Sequence, residues 1–149
     1  MIRAIALAAL VPTAALAIDV TETVAVPGPP EEVWAAMGDF CAIAEWHEAV
    51  ASCATEERDG ATIRTLELEG GGTLVEERLS EGETAYGYAI LDGPLPVADY
   101  TSELSAEADG DGTLLTWTGT FDAANATDEE AEAVIRGIYR SGLDSIAAR

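Results

Sequence analysis

TDEEAEAVIRGIYRSGLDSIAAR, residues 127 to 149, carries apolar side chains at helical spacing over several turns and follows a long region that alternates with the period of strands. Thr127 and Glu130 form a capping box, in which the threonine hydroxyl accepts from the backbone N–H three residues on and the glutamate reaches back to the cap residue. Ala131, Val134, Ile135, Ile138, Gly142 and Ile146 then fall on one face at steps of three and four, with Tyr139 beside them, so a long amphipathic helix is predicted. Gly137 and Gly142 each weaken that helix by about 1 kcal/mol relative to alanine, which points to close packing or to space left free against a neighbour. Asn125-Ala126-Thr127 also reads as a glycosylation acceptor, but the cap already explains the threonine.

Upstream of the helix, turn signals recur at Asp59-Gly60, Gly70-Gly71-Gly72, Glu81-Gly82, Asp92-Gly93 and Asp109-Gly110-Asp111-Gly112. The segments between them have hairpin length, so the chain from Val50 onward reads as six strands of an antiparallel meander. A seventh strand precedes them, where Val20, Val24 and Val26 keep even spacing until Pro27-Gly28-Pro29-Pro30 stops it. Pro30 suits the first turn of a helix, and Glu31 and Glu32 suit the positive end of its dipole. Val33, Trp34 and Met37 give that helix a short apolar stripe before Gly38-Asp39. The expected architecture is α+β: a curved seven-stranded antiparallel sheet around a long C-terminal helix, with short helices after the first strand. Such a sheet has one apolar interior, and wherever the helix does not fill it a cavity remains.

The chain has 149 residues, 48% of them apolar, which is not the composition of a disordered polymer. Residues 1–17 read as a signal peptide: Arg3 precedes the apolar run Ala4 to Val11, Pro12 breaks it, and Ala15-Leu16-Ala17 places small residues where a signal peptidase cuts. The run is too short for a membrane anchor, which needs roughly 20 apolar residues. Residues 18–149 suffice for one domain with a single core, expected to be periplasmic or secreted and without a membrane span in its mature form. Seven arginines and no lysine stand against 28 acidic residues, a formal net charge of −21. A surface of that sign repels phosphate, which argues against nucleic acid and anionic membranes. The simplest reading of such a surface is solubility; the alternative is a basic protein partner, whose mark would be salt-sensitive association.

GDFCAIAEWHEAVASC, residues 38 to 53, holds both cysteines and the only histidine. In an exported protein Cys41 and Cys53 are expected to be bridged, closing a loop for which the chain-entropy account gives about 3 kcal/mol. A zinc site from Cys41, His47 and Cys53 would need reduced thiols and a fourth ligand at a spacing that fits no common pattern, so no metal is expected. A nucleophilic cysteine is the third reading, disfavoured because the cysteines come as a pair. His47 is the side chain whose ordinary pKa lies nearest neutrality and is a weak catalytic candidate. Against that, no partner is assigned to it by spacing, and a hydrogen-bonded rim histidine beside Trp46 is the simpler reading.

Strand alternation gives the candidate lining. Tyr86, Tyr88 and Ile90 share one face, as do Tyr100, Ser102 and Leu104, and Leu115, Trp117, Gly119 and Phe121. These faces are apolar with hydroxyl or indole handles, which suits a pocket and equally a solid core. Gly87 and Gly119 favour a bent sheet with space inside. Facing them, the helix would contribute Ile135, Ile138 and Tyr139. Arg64 shares a face with Leu66 and Leu68 and should point inward, where an arginine must be paired or must meet a ligand. Glu76 is its expected partner on the next strand, or Glu77 if the register differs; in the functional version Arg64 holds a carboxylate, enolate or carbonyl of the guest, with Trp46 and His47 at the lip.

The order of elements, with VPGPPEEVWAAMGDF (26–40), CAIAEWHEAVASC (41–53), ILDGPLPVADYTSEL (90–104) and TWTGTF (116–121), resembles the SRPBCC (START/Bet v 1-like) superfamily, in its polyketide-cyclase and MxaD-like secreted branch. The resemblance spans essentially the whole chain after the signal. It implies a helix-grip fold with a deep hydrophobic pocket between the sheet and the C-terminal helix. Where that family commonly has proline after the Trp-His pair, this chain has Glu48. The expected function is binding of a small apolar or aromatic molecule in the cell envelope, without covalent chemistry and without a cofactor. The resemblance also implies two alternatives. One is a cyclase-like aldol or dehydration enzyme using His47, or Arg64 with a nearby tyrosine; the other is an accessory protein docking a periplasmic dehydrogenase.

Overall fold

The computed structural model describes residues 15–149. The expected signal peptide lies outside the described residues, apart from Ala15 to Ala17, which form an exposed approach to the first strand. The elements run β1 (Ile18–Pro27), α1 (Pro30–Met37), α2 (Ile43–Trp46), β2 (Val50–Arg58), β3 (Ala61–Leu68), β4 (Thr73–Glu81), β5 (Ala85–Asp92), β6 (Val97–Asp109), β7 (Gly112–Ala123) and α3 (Asp128–Ala147). All seven strands form one antiparallel sheet in the order β1-β7-β6-β5-β4-β3-β2. The meander explains the run from β7 to β2, since each hairpin pairs with its neighbour; β1 then closes on the last strand, with Val20 opposite Gly119 and Val24 opposite Leu115. Register shifts at Val50/Ser52, Val75/Glu76, Arg78/Ser80 and Ala98/Thr101 bend the sheet, as extra residues on one strand do.

Thr127 caps α3 with the reciprocal bonds of a capping box, so the threonine serves the helix. The helix lies across the sheet and buries Ala131, Ile135, Tyr139, Gly142, Leu143 and Ile146. Two details of the predicted stripe change. Val134 stays 39% exposed, and Leu143, outside the stripe, is fully buried. The rotation has a visible cause on β1, where Glu22 occupies an inward position between Val20 and Val24 and is itself buried. Its Oε1 accepts from Arg136 at 2.6 Å, and its Oε2 accepts from Arg140. Those two pairs lower the Glu22 carboxyl below the usual range against the opposing effect of burial, the Arg136 hydrogen bond acting most strongly.

Two glycines let elements approach closely. A Cβ on Gly142 would sit 2.7 Å from His47 Cδ2, 2.8 Å from Trp117 and 3.0 Å from Trp46, so the helix touches the α2 corner and β7 at one point. At Gly119 the place of a Cβ is taken by the Tyr139 hydroxyl, so this glycine is filled by packing and does not leave the space expected of it. Cys41 and Cys53 are joined, with Cα atoms 5.5 Å apart, which ties the segment before α2 to β2 and removes both sulfurs from zinc or nucleophilic chemistry. Such bridges persist in oxidising compartments. Among the described residues no helix is long and apolar enough to cross a membrane.

Gly142→Ala should therefore destabilise the protein by about 1–3 kcal/mol through overpacking. Gly137→Ala, at an exposed position with no atom near its Cβ, should stabilise it by roughly 0.5–1 kcal/mol. Paired denaturant titrations of the two variants check the opposite signs. Because the Glu22 carboxyl is depressed in the folded state, its contribution is present above the unfolded pKa near 4.5 and is lost as pH falls through the lower folded value. The acid loss of stability should be smaller in Glu22→Gln than in the wild type.

Candidate functional site

α3 packs mainly against β1 and β7, and the half of the sheet formed by β3, β4 and β5 is left partly uncovered. A cavity of about 200 Å³ occupies the gap. Leu66, Leu74, Tyr88, Tyr100 and Trp117 form its sheet wall, Ile135 and Ile138 its helix wall, and Ile43, His47 and Val50 its lip. Leu68 at the end of β3 and Glu69 and Gly71 of the β3–β4 turn reach it from one side and Leu95 of the β5–β6 loop from another. The turn is pinned to the lip by a bond from the Glu69 backbone N–H to the Ala49 carbonyl, 2.9 Å.

Of the residues expected to meet a guest, His47, Glu76, Tyr88, Tyr100, Trp117, Ile135 and Ile138 converge on this cavity. Trp46, Arg64, Tyr86, Phe121 and Tyr139 do not line it. Trp46 donates its indole N–H to the Met37 carbonyl at 3.1 Å and faces a separate pocket of about 170 Å³ beside α1 and the end of α3. Tyr86 packs against Trp34 and Phe40, Phe121 stacks on Tyr100, and Tyr139 stacks on Trp117 with centroids 4.5 Å apart. For the strand residues Arg64, Tyr86 and Phe121 the reason is that alternation assigns a face but not a position along it. Sequence reasoning missed Leu74 and Val50, which the same alternation places inward. It also missed Leu95, whose loop carries no periodic signal.

His47 is held at both nitrogens. Nδ1 accepts the Ala49 backbone N–H at 3.2 Å, so Nε2 carries the proton and donates to the Ile138 carbonyl at 3.0 Å. Burial lowers its pKa below the ordinary 6.5, the Ile138 carbonyl and Glu48 opposing. The imidazole is thus a neutral strut between lip and helix with no nitrogen free for proton transfer. Glu48, where the resembling family commonly has proline, adds a second strut by accepting from Ser141 at 2.9 Å.

Arg64 and Glu76 sit opposite each other on β3 and β4, and both are buried. Arg64 Nε donates to Glu76 Oε2 at 2.5 Å, Nη1 donates to the Phe40 carbonyl at 2.6 Å, and Nη2 has no hydrogen-bond partner. The guanidinium is wrapped by aromatic faces, 4.1 Å from the Phe40 centroid and 4.9 Å from that of Tyr88. Burial pushes the Glu76 carboxyl up, and Arg64 pulls it back. Burial opposes the charge on Arg64 too, but Glu76 and the neighbouring phenols more than reverse that and hold its pKa above the usual value. Since a guanidinium keeps its proton, and a neutral Glu76 would leave that charge buried without a counterion, the pair is ionised.

The remaining polar groups form one chain whose proton positions follow from counting. Ser102 Oγ donates to the Thr118 carbonyl at 2.6 Å, which uses its single proton. Tyr139 must therefore donate to Ser102 at 3.1 Å, Tyr100 to Tyr139, and Tyr88 to Tyr100 at 3.2 Å. Trp117 Nε1 lies 3.1 Å from both the Tyr88 and the Ser102 oxygens and donates into the same chain. Burial drives the Tyr88 and Tyr100 phenols well above 10 and Tyr139 up to about 12, so these protons stay in place at neutral pH.

A curved antiparallel sheet gripping a long helix over an apolar chamber is the helix-grip class, and the comparisons agree. The chain belongs to the family described as polyketide cyclase/dehydrase and lipid transport, matched over residues 17–149. It is similar to the solved structure of the protein XoxI from Bacillus cereus, at 28% identity over 87% of this chain and 93% of that one, with a TM-score of 0.79. An uncharacterized protein from Bacillus thuringiensis superposes with a TM-score of 0.80 at 27% identity, covering 88% of this chain and 97% of that one. The Zhui aromatase/cyclase from Streptomyces sp. R1128 shares the fold with a TM-score of 0.71 at 20% identity, over 89% of this chain and 92% of that one. No curated protein matches the chain.

Two outcomes follow for the interior. Glu76→Gln should destabilise by about 3–5 kcal/mol because it strands the guanidinium, whereas Arg64→Met with Glu76→Leu should fall within about 1 kcal/mol of wild type, read by denaturant unfolding. NMR titration of the single histidine should give a midpoint below 6.5 and the chemical shifts of an Nε2–H imidazole.

Proposed function

We propose that this protein binds a small, mostly apolar molecule in the cell envelope and performs no covalent chemistry on it. The observation that carries the reading is the cavity itself, about 200 Å³ and walled by leucine, isoleucine and aromatic rings. Cavities of about 150 Å³ with such walls stay dry and take up benzene-sized guests, whereas pockets for drug-sized ligands measure about 300–1,000 Å³. The guest is accordingly of single-ring size, smaller than a multi-ring polyketide. The disulfide supports an oxidising compartment, and with it the reading of residues 1–17 as an export signal.

A cyclase of aldol or dehydration type needs a group that gives or takes a proton at the substrate. His47 has both nitrogens engaged, and the phenol protons of Tyr88 and Tyr100 point along their own chain. The Glu76 carboxylate at the wall is paired with Arg64, and no side-chain proton donor faces it across the cavity, so the arrangement favours a binder over an enzyme.

Native mass spectrometry of the protein purified from its own envelope should show a retained small molecule, and a neutral single-ring probe such as anisole should bind saturably. Ile138→Trp, at a half-buried position on the helix wall, should abolish probe binding with little change in Tm. A protein that carries no guest and takes up no probe would remove the proposal.

A further inference from the structure

We infer that the cavity presents hydrogen-bond acceptors and no side-chain donor, and so selects a neutral hydroxyl compound, a phenol or alcohol of single-ring size, that donates to Glu76. The inference rests on the cavity being the ligand site and goes on to name the chemistry of the guest.

Every side-chain donor on the wall is engaged elsewhere. The Tyr88 proton goes to Tyr100, the Tyr100 proton to Tyr139, the Trp117 N–H to the Tyr88 and Ser102 oxygens, and the His47 N–H to the Ile138 carbonyl. What these groups still offer is lone pairs. Glu76 is the strongest acceptor among them: it is 3% exposed, lines the cavity, and gives only Oε2 to Arg64. Its Oε1 has no protein partner yet is not sealed off, since Arg64 Nη2 is the one buried side-chain atom without a partner among the described residues. An ionised carboxylate oxygen facing an apolar chamber is a strong attachment point for a donor.

Charge narrows the class further. A carboxylate or phosphate guest would meet Glu76 inside and Glu69 at the mouth. A ketone or aldehyde would find no side-chain N–H or O–H directed at it. A cationic guest would add a second positive charge where Arg64 already balances Glu76, leaving one buried charge uncompensated. A neutral hydroxyl donates one proton, keeps its apolar body against the leucine and isoleucine walls, and disturbs no existing bond.

The experiment compares three guests of nearly equal shape on the wild-type protein at pH 7 by calorimetry or probe displacement: 4-methylphenol, p-xylene and 4-methylbenzaldehyde. We expect 4-methylphenol to bind at least tenfold more tightly than p-xylene, although the hydrocarbon is the more apolar, and 4-methylbenzaldehyde to bind no better than p-xylene. In Arg64→Met with Glu76→Leu the phenol preference should vanish while p-xylene is retained. If p-xylene equals or exceeds the phenol, or the aldehyde does, or the preference survives in the double variant, acceptor selection is overturned and the cavity remains a ligand site. If none of the three binds, both readings fall.

Discussion

Two arginines of the C-terminal helix converge on one buried carboxylate of the first strand, and that pairing decides which part of the sheet the helix covers. Glu22 sits between valines on an otherwise apolar face, so it must be met by charge, and Arg136 and Arg140 are one helical turn apart on the side of α3 that reaches it. Drawn towards β1 and β7, the helix cannot also fill the space over β3, β4 and β5. The point contact at Gly142 sets the closeness of approach, and Tyr139 stacked on Trp117 holds the middle. The cavity is what this off-centre seating leaves behind.

Around that space the polar groups are arranged so that none is free to wander. A hydroxyl has one proton, and once Ser102 gives its own to a backbone carbonyl the orientation of every phenol behind it is fixed. The same holds for His47, whose ring is read by one backbone N–H and one backbone carbonyl. A buried network satisfied in this way is stiff and specific, and it keeps its protons turned away from the chamber. Glu76 is the exception, because its partner Arg64 approaches from the side and engages a single oxygen.

Much of this could be read from the chain. The capping box, the turn dipeptides and the even spacing of valines place the seven strands and α3, since each is a local signal that tertiary packing had no reason to override; α2, one turn long, carries no such signal. That Arg64 needs an inward anion on the next strand was legible for the same reason, whereas the choice of Glu76 over Glu77 depends on the register of β3 with β4. Depth was not legible. Tyr86 and Phe121 share strand faces with the lining residues Tyr88 and Trp117 yet do not line the cavity, and Trp46 at the end of α2 turns to the pocket beside α1. Glu22 is marked as inward by its place between Val20 and Val24, but the arginines that meet its charge lie far along the chain on α3, where local patterning does not assign them to β1. Nor could Gly119 be read correctly, because the group that fills its space comes from Tyr139, twenty residues away on another element.

Among the described residues the sheet does not close on itself, and β2 ends the ladder with a side that no described strand covers. Most of that strand is exposed, and it carries Glu56 and Glu57 with Arg58 at its end. An open ladder is a template on which another copy could add its own strand. Here two copies meeting edge to edge would bring like charges together on chains that are already strongly anionic. Like-charge repulsion of that kind works against the growth of a continuous sheet from copy to copy.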